Sequence, residues 1–365
     1  MKFRAFFLSL FLSIASYAQT GNYFLSHFSP DQKQSDNVCF DIAQDKRGVF
    51  YFATQAGVLQ FDGRNWDIIR TNGAVYAIEF TESGDLYVAG SKGFGKIILD
   101  KNGLESFVPL YDQADAGYVF QIVALNENVY FLNDKSLFTY SIASDSVSRS
   151  SYETAGAFSN LSEIFGSLYV STEERGIFKS ERERLVKSTL PLPDSTTLIF
   201  SSKFESSYLL GTSDNRVFIY NENKRLKEIQ LEDASYASAS VIINATWVNG
   251  ELVALGTLRG GIIFINPATG KTAEIINYNT GLQDNEIYTL IRDRNQNVWA
   301  AHAYGFTRIG PYLPLRSFRY YPGLQGNLLC ATTHRNNVYV GTSLGLYKLE
   351  KRSFTMRLHT MWMYW

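Results

Sequence analysis

A motif of about twenty residues recurs along this chain, and few folds can accommodate it. Its clearest copy is residues 285–305, NEIYTLIRDRNQNVWAAHAYG. Apolar residues (Ile287, Tyr288, Leu290) are followed by a polar turn, Asp293-Arg294-Asn295-Gln296-Asn297. A second apolar run covers residues 298–301, and Gly305 opens a third. Short apolar runs rich in β-branched and aromatic residues, punctuated by Asn, Asp and Gly, read as antiparallel strands joined by tight turns. Residues 37–57, NVCFDIAQDKRGVFYFATQAG, align to this copy without a gap: Asn37 on Asn285, Asp45 on Asp293, Tyr51 on Trp299, Gly57 on Gly305.

Anchoring each copy at the end of its second strand gives Thr54, Gly90, Asn133, Thr172, Thr212, Thr257, His302 and Thr342, which lie 36, 43, 39, 40, 45, 45 and 40 residues apart. A period near 41 fits four-stranded propeller blades. Helical repeats of that length need a 3.6-residue apolar period, which is absent. In the first copy the strands are read as residues 38–43 (innermost), 49–54, 58–61 and 66–70. One such sheet cannot bury both faces, so blades must stack around an axis. The expected fold is an all-β propeller of four-stranded antiparallel blades.

Residues 22–28, NYFLSHF, look like a fourth strand with no preceding three. Such a strand completes the last blade and closes the ring. Pairing with the seventh copy (residues 305–310) makes a seven-bladed ring over residues 22–310, and the eighth copy, residues 311–354, then begins something else. Pairing with the eighth copy (residues 345–349) makes eight blades. Seven is the favoured count.

Residues 1–18 lie outside the fold. Lys2 and Arg4 precede the apolar run 5–15, and Ser16-Tyr17-Ala18 offers small residues for cleavage after Ala18. This is the form of a secretory signal peptide. No later stretch reaches the ~18 apolar residues of a membrane span. Export permits a disulfide, but Cys39 and Cys330 also read as two small apolar strand residues. The opposite terminus is odd. After Met1 no methionine occurs until Met356, and Met361, Trp362, Met363 and Trp365 follow closely. The grammar stops at Phe354, so residues 355–365 are expected not to be a native continuation, and the natural chain to be longer.

With 34 basic and 35 acidic residues the chain has no basic tract for nucleic acid or anionic membranes. Gly341-Thr342-Ser343-Leu344-Gly345 matches G-x-S-x-G, but it sits between two strands and only His359 follows, so it reads as repeat rather than nucleophile elbow. His27, His302, His334 and His359 show no metal spacing. Asp45, Asp62 and Asp293 read as turn caps. No metal or cofactor motif is present.

The pattern of Asn37, Asp45, Gly48, Thr54, Gly57, Asp62 and Gly63, repeated through Gly281-Leu282, Asn285, Asp293, Trp299 and Gly305 and through Gly323-Leu324, Gly341-Thr342 and Gly345-Leu346, resembles the two-component-regulator propeller repeat. That family forms the exported sensor region of hybrid two-component systems and related regulators in Bacteroidetes-type bacteria. Copies two to six depart from the pattern; Asn133 and Asp134 stand where Gly-Thr is usual. The resemblance covers residues 22–349. It implies a periplasmic ligand-sensing propeller that lacks its membrane and output domains, with an oligosaccharide or other small ligand, and with a second propeller or dimer partner. The alternatives are a secreted polysaccharide lyase or glycosidase, which needs two converging carboxylates or a metal cluster, and a protein-interaction scaffold. A ligand site is expected at loop and strand-end residues with aromatic or polar character: Trp66, Trp299, His302 and Tyr304.

Overall fold

In the computed structural model the described residues are 21–349, apart from 31–37, 102, 112, 153–155, 182–183, 194–195, 318–322 and 336. The leader and the Met- and Trp-rich tail therefore lie outside the described residues. The chain divides into two compact units, one of them Tyr23–Pro314.

Within that unit the repeat reads out as antiparallel sheets arranged like propeller blades. The first copy gives Cys39–Gln44, Phe50–Thr54, Gly57–Phe61 and Trp66–Ile69, hydrogen-bonded in that order. These bounds agree with the sequence-based strands to within a residue or so. The second gives Val75–Phe80, Leu86–Gly90, Gly93–Leu99 and Glu105–Pro109. The innermost strands of the next five are Gln121–Leu125, Phe158–Ile164, Leu198–Phe204, Ile242–Asn249 and Thr289–Arg292. Each lies against the next, and Thr289–Arg292 lies against both Ile242–Asn249 and Cys39–Gln44, so the succession of neighbours returns to its start.

The strand Asn22–Phe28 pairs antiparallel with Gly305–Gly310, with Phe24 opposite Gly310 and Phe28 opposite Phe306. It supplies the fourth strand beside Thr289–Arg292, Val298–His302 and Gly305–Gly310. Second strands are the best buried. All five residues of Phe50–Thr54, Leu86–Gly90 and Val298–His302 are enclosed. Both of their faces meet a neighbouring sheet, which is why these runs are continuously apolar rather than alternating. The core is accordingly a series of clusters between sheets.

The other unit contains the sheet Leu328–His334, Asn337–Thr342 and Gly345–Leu349. Cys330 is exposed there, whereas Cys39 is buried in the first sheet, and both are free thiols.

Candidate functional site

Three of the four residues singled out from sequence belong to packing. Trp299 is 3% exposed. Its ring lies 4.3 Å from Phe50 and 5.0 Å from Phe28, and its indole N–H donates to Asp293 Oδ2 at 3.1 Å. Trp66 stacks 4.3 Å from Phe61 and 5.5 Å from Phe306. Both tryptophans thus weld the first sheet to the one carrying Asn22–Phe28, Trp299 enclosed and Trp66 half-buried. Their aromatic character reflects interblade filling. His302 is fully buried. Its Nδ1 accepts the Tyr304 amide at 3.2 Å, so Nε2 carries the proton and donates to Thr307 Oγ1 at 2.7 Å. Thr307 Oγ1 in turn lies 2.9 Å from His27 Nδ1 on the closing strand. Burial pushes the His302 imidazole down to about 4, with His27 adding to the effect. Tyr304 alone of the four is exposed.

The turn carboxylates do what their position suggests. Asp45 Oδ1 accepts the amides of Arg47 (2.8 Å) and Val49 (2.9 Å), and Asp293 Oδ1 those of Asn295 (2.8 Å) and Asn297 (2.9 Å). The recurring Thr closes the next turn. Thr54 Oγ1 donates to Gly57 O at 2.9 Å and Thr257 Oγ1 to Gly261 O at 2.8 Å, and Thr342 does the same to Gly345 in the stretch that mimics a nucleophile elbow. That serine segment is a β-turn between two strands of one sheet.

Sequence reasoning missed the start of the innermost strands. The register slips there in the first, second, fourth, fifth and sixth sheets, leaving Phe40, Tyr76, Ser159, Ile199 and Ile243 unpaired. Phe120, just before Gln121, holds the corresponding place in the third sheet. A bulged residue drops out of the ladder and its side chain is re-aimed. On the first three sheets these side chains form an aromatic arc around the inner-strand ends. Phe40 and Tyr76 meet edge-on at 4.8 Å, Tyr76 and Tyr118 lie 4.6 Å apart, and Tyr118 and Phe120 lie 6.0 Å apart. Tyr118 is 54% exposed, and the other three are half-buried.

Local backbone fixes this arc. Gly117 O accepts from Gly93 N at 2.8 Å, and Val119 N donates to Gly90 O at 2.9 Å, so Tyr118 is held between two bonds to the second sheet. The helical turn Gln113–Ala116 before it is tied by Asn133, whose Nδ2 donates to Ala116 O at 3.0 Å. Asn133 Oδ1 also caps its own turn, accepting from Lys135 N and Ser136 N at 2.9 and 2.6 Å. Gly90 stands in place of the usual Thr because a Cβ there would meet Ala74 O at 1.8 Å. The two bonds flanking Tyr118 recur in a copy that keeps the Thr, as Gly261 N to Asn285 O and Ile287 N to Thr257 O; the Asn133 bond to Ala116 O is what the departure in copy three adds.

Two carboxylates share these inner strands. Asp41 Oδ2 accepts from Ile78 N of the second sheet at 3.0 Å, and Oδ1 accepts from Ile42 N at 2.9 Å. Burial pushes its carboxyl up to about 6, against the pull of those amides. Glu79 is half-buried and is pushed up to about 8 by burial, with the Asp41 charge adding. Gln121 makes a similar stitch, its Nε2 donating to Asn160 Oδ1 at 2.9 Å on the next inner strand. Among the described residues no group of three or more His, Cys, Asp or Glu is placed to hold a metal.

No protein-family model matches the chain, and no curated protein matches it. Solved structures do. The extracellular domain assigned to a hybrid two-component system of B. thetaiotaomicron superposes with a TM-score of 0.66 at 16% identity, over 90% of this chain and 48% of that one. A second B. thetaiotaomicron extracellular domain, assigned to a one-component system, gives 0.63 at 17% identity, over 90% and 46%. A streptogramin B lyase gives 0.62 at 14% identity, over 79% of this chain and 98% of the lyase. This chain spans about half the length of the two extracellular domains. At these identities the likeness is one of fold, and the chain is a β-propeller of the architecture that those exported sensor domains and the lyase share.

Proposed function

We propose that this chain is the ligand-sensing propeller of an exported signal-transduction regulator of the two-component type. The observation that carries the reading is the aromatic arc Phe40–Tyr76–Tyr118–Phe120, gathered from three sheets at the inner-strand ends and held by backbone bonds on either side of Tyr118. Ligand sites are concave places where a scaffold converges a few aromatic and polar groups. The fold of the B. thetaiotaomicron extracellular domains supports the sensor role. The ring is counted as seven blades, closed by Asn22–Phe28. Export rests on the leader pattern of residues 1–18. Among the described residues no helix is long and apolar enough to cross a membrane. The ligand class is an oligosaccharide released from polysaccharide, whose sugar faces stack on aromatic rings. Signalling follows if the ligand binds one arrangement of the receptor better than another.

The test is calorimetric titration with a panel of plant and host oligosaccharides, using the wild-type chain and Tyr118→Ala. The reading predicts at least one binder whose affinity falls in the variant. It fails if nothing in the panel binds, or if Tyr118→Ala binds as well as wild type.

A second reading, a polysaccharide-cleaving enzyme, draws on the Asp41–Glu79 pair; the streptogramin B lyase lends it only the fact that an enzyme can have this fold. Both Asp41 oxygens are engaged by backbone amides, so Glu79 carries the acid–base role in that case. Polysaccharide turnover that disappears in Glu79→Gln favours this reading over binding alone.

A further inference from the structure

Resting on the sensor reading, the makeup of the arc narrows the ligand further. From end to end it runs Phe40, Tyr76, Tyr118, Phe120, so the two middle rings carry hydroxyls and the two outer rings do not. Tyr76 and Tyr118 lie 4.6 Å apart, with their planes 38° from parallel. Burial raises the Tyr118 hydroxyl above its ordinary value and the neighbouring Tyr76 adds to that rise, so the two groups share one small patch. Among the described residues neither hydroxyl makes a hydrogen bond. Tyr51, Tyr140, Tyr208 and Tyr236 differ in this respect. Their hydroxyls donate to Glu105 Oε1 at 3.2 Å, Asp145 Oδ1 at 2.6 Å, Glu163 Oε2 at 2.7 Å and Gly260 O at 2.7 Å. For packing alone, phenylalanine would serve at the two middle places as it does at the ends. A polar group without a partner costs free energy as its surroundings dry. The hydroxyl pair is therefore left for whatever occupies the mouth.

In a pyranose whose hydroxyls are all equatorial, C–H groups cover both faces and the hydroxyls stand around the edge. Laid against the exposed Tyr118 ring, such a sugar sets a C–H face on an aromatic face and its edge beside the hydroxyl pair. A phenol both donates and accepts, so it pairs with a sugar hydroxyl in either sense. A hydroxyl capped by an ether or ester has no proton to give, and the cap crowds the edge. The tyrosine hydroxyl facing it is then stranded, which is how sites that read hydroxyls reject analogues without them. We propose that the mouth formed by Phe40, Tyr76, Tyr118 and Phe120 takes an uncapped chain of all-equatorial pyranoses, with Tyr118 stacking on one ring face and the Tyr76 and Tyr118 hydroxyls bonding to free hydroxyls on that ring's edge. The aromatic arc holds the face, and the hydroxyl pair selects against a capped edge.

The experiment is isothermal titration of two probes, cellotetraose and its fully O-methylated counterpart, into wild type, Tyr76→Phe, Tyr118→Phe and Tyr118→Ala. Cellotetraose is expected to bind at least about tenfold more tightly than the methylated probe. Each phenylalanine variant weakens cellotetraose by about three- to tenfold, the worth of one hydrogen bond, and leaves the affinity of the methylated probe unchanged. Tyr118→Ala removes the platform and weakens both probes. Both phenylalanine variants should melt with wild type, because the hydroxyls have no partner in the protein; a lower melting temperature assigns them a structural task and overturns the inference. If cellotetraose binding falls in Tyr118→Ala but survives both phenylalanine substitutions, or if the methylated probe binds as tightly, the sensor reading stands and the hydroxyl inference is overturned. If cellotetraose does not bind while another oligosaccharide binds through Tyr118, the outcome is the same. If no oligosaccharide binds, both are overturned.

Discussion

The Glu79 side chain should make the protein less stable as the solution becomes less acidic, and the size of that effect follows from its surroundings. Burial beside Asp41 displaces the carboxyl from an ordinary 4.5 to about 8. A carboxyl raised on folding favours the protonated form in the folded state, so its favourable contribution is complete below about 4.5 and is lost as pH rises through about 8. At 1.36 kcal/mol per pH unit the whole displacement is worth about 5 kcal/mol. The side chain is only half-buried and water reaches it, so a working figure is about 2–3 kcal/mol. Glu79→Gln removes the titration. For a unit of about 290 residues, unfolding entropy near 2.1 cal/mol/K per residue turns that free energy into about 3–5 °C of melting temperature. The measurement is the difference in melting temperature between Glu79→Gln and wild type, by calorimetry from about pH 4 to about pH 9. Comparing the difference across pH cancels whatever Gln itself costs in the site. The variant should gain on wild type progressively, by about 3–5 °C between the two ends. A difference that stays flat across this range, or one that grows toward acid, refutes the claim that Glu79 is buried against Asp41.

Three further outcomes follow from local geometry. His302→Thr restores the residue that closes this turn in other copies and removes an imidazole pushed down to about 4; because a base lowered on folding loses stability as pH falls from about 6.5 through about 4, the variant should resist acid unfolding by about 2 kcal/mol relative to wild type, read from melts at about pH 4 and about pH 7. Gly90→Ala places a Cβ against Ala74 O and should cost about 2–4 kcal/mol in urea unfolding while weakening ligand binding through Tyr76. Trp299→Phe keeps the ring in its aromatic cluster but strands Asp293 Oδ2 without the indole N–H; the expected loss is about 1–2 kcal/mol, and a neutral result would mean that Asn297 alone satisfies that oxygen.

How much of this was legible in the chain depended on what repeats. The strands of the first copy, the turn roles of Asp45 and Asp293 and the position of Thr54 at a strand end were readable, because each is a local rule restated at a fixed spacing, and the strand at residues 22–28 was readable as the piece that rule left over. The site was not readable in the same way. Trp66 and Trp299 looked like ligand platforms because large aromatics at conspicuous positions serve either use, and only the partner sheet decides which. Phe28, Phe50, Phe52 and Phe306 surround them across strands far apart in sequence. The arc was hidden for a related reason. Phe40 and Tyr76 look like ordinary members of alternating strands, and the bulge that expels them from the ladder is a property of pairing.

A usable signal did exist, in the places where the grammar breaks. A blade that matches the repeat spends its strand-end residue on closing its own turn, as Thr54 does on Gly57. Gly90 cannot make that bond, although the Ser91 amide donates to Ala74 O just as Ser213 and Leu258 donate to Thr197 O and Val241 O in copies that keep the Thr. Asn133 closes its turn with Oδ1 and has an amide left over, which it gives to Ala116 O. The loop ending in Tyr118 is thereby tied to the third sheet as well as to Gly90 and Gly93 of the second, and the arc closes between Tyr76 and Phe120. In a chain of near-identical blades, repetition supplies the stability of the ring, and identical blades present identical mouths with nothing to tell one ligand from another. Specificity has to enter at positions that abandon the repeat. The departure at residue 133, which adds a bond to the loop that carries Tyr118, was therefore a better pointer to the site than the tryptophans and the His302 that the repeat made conspicuous.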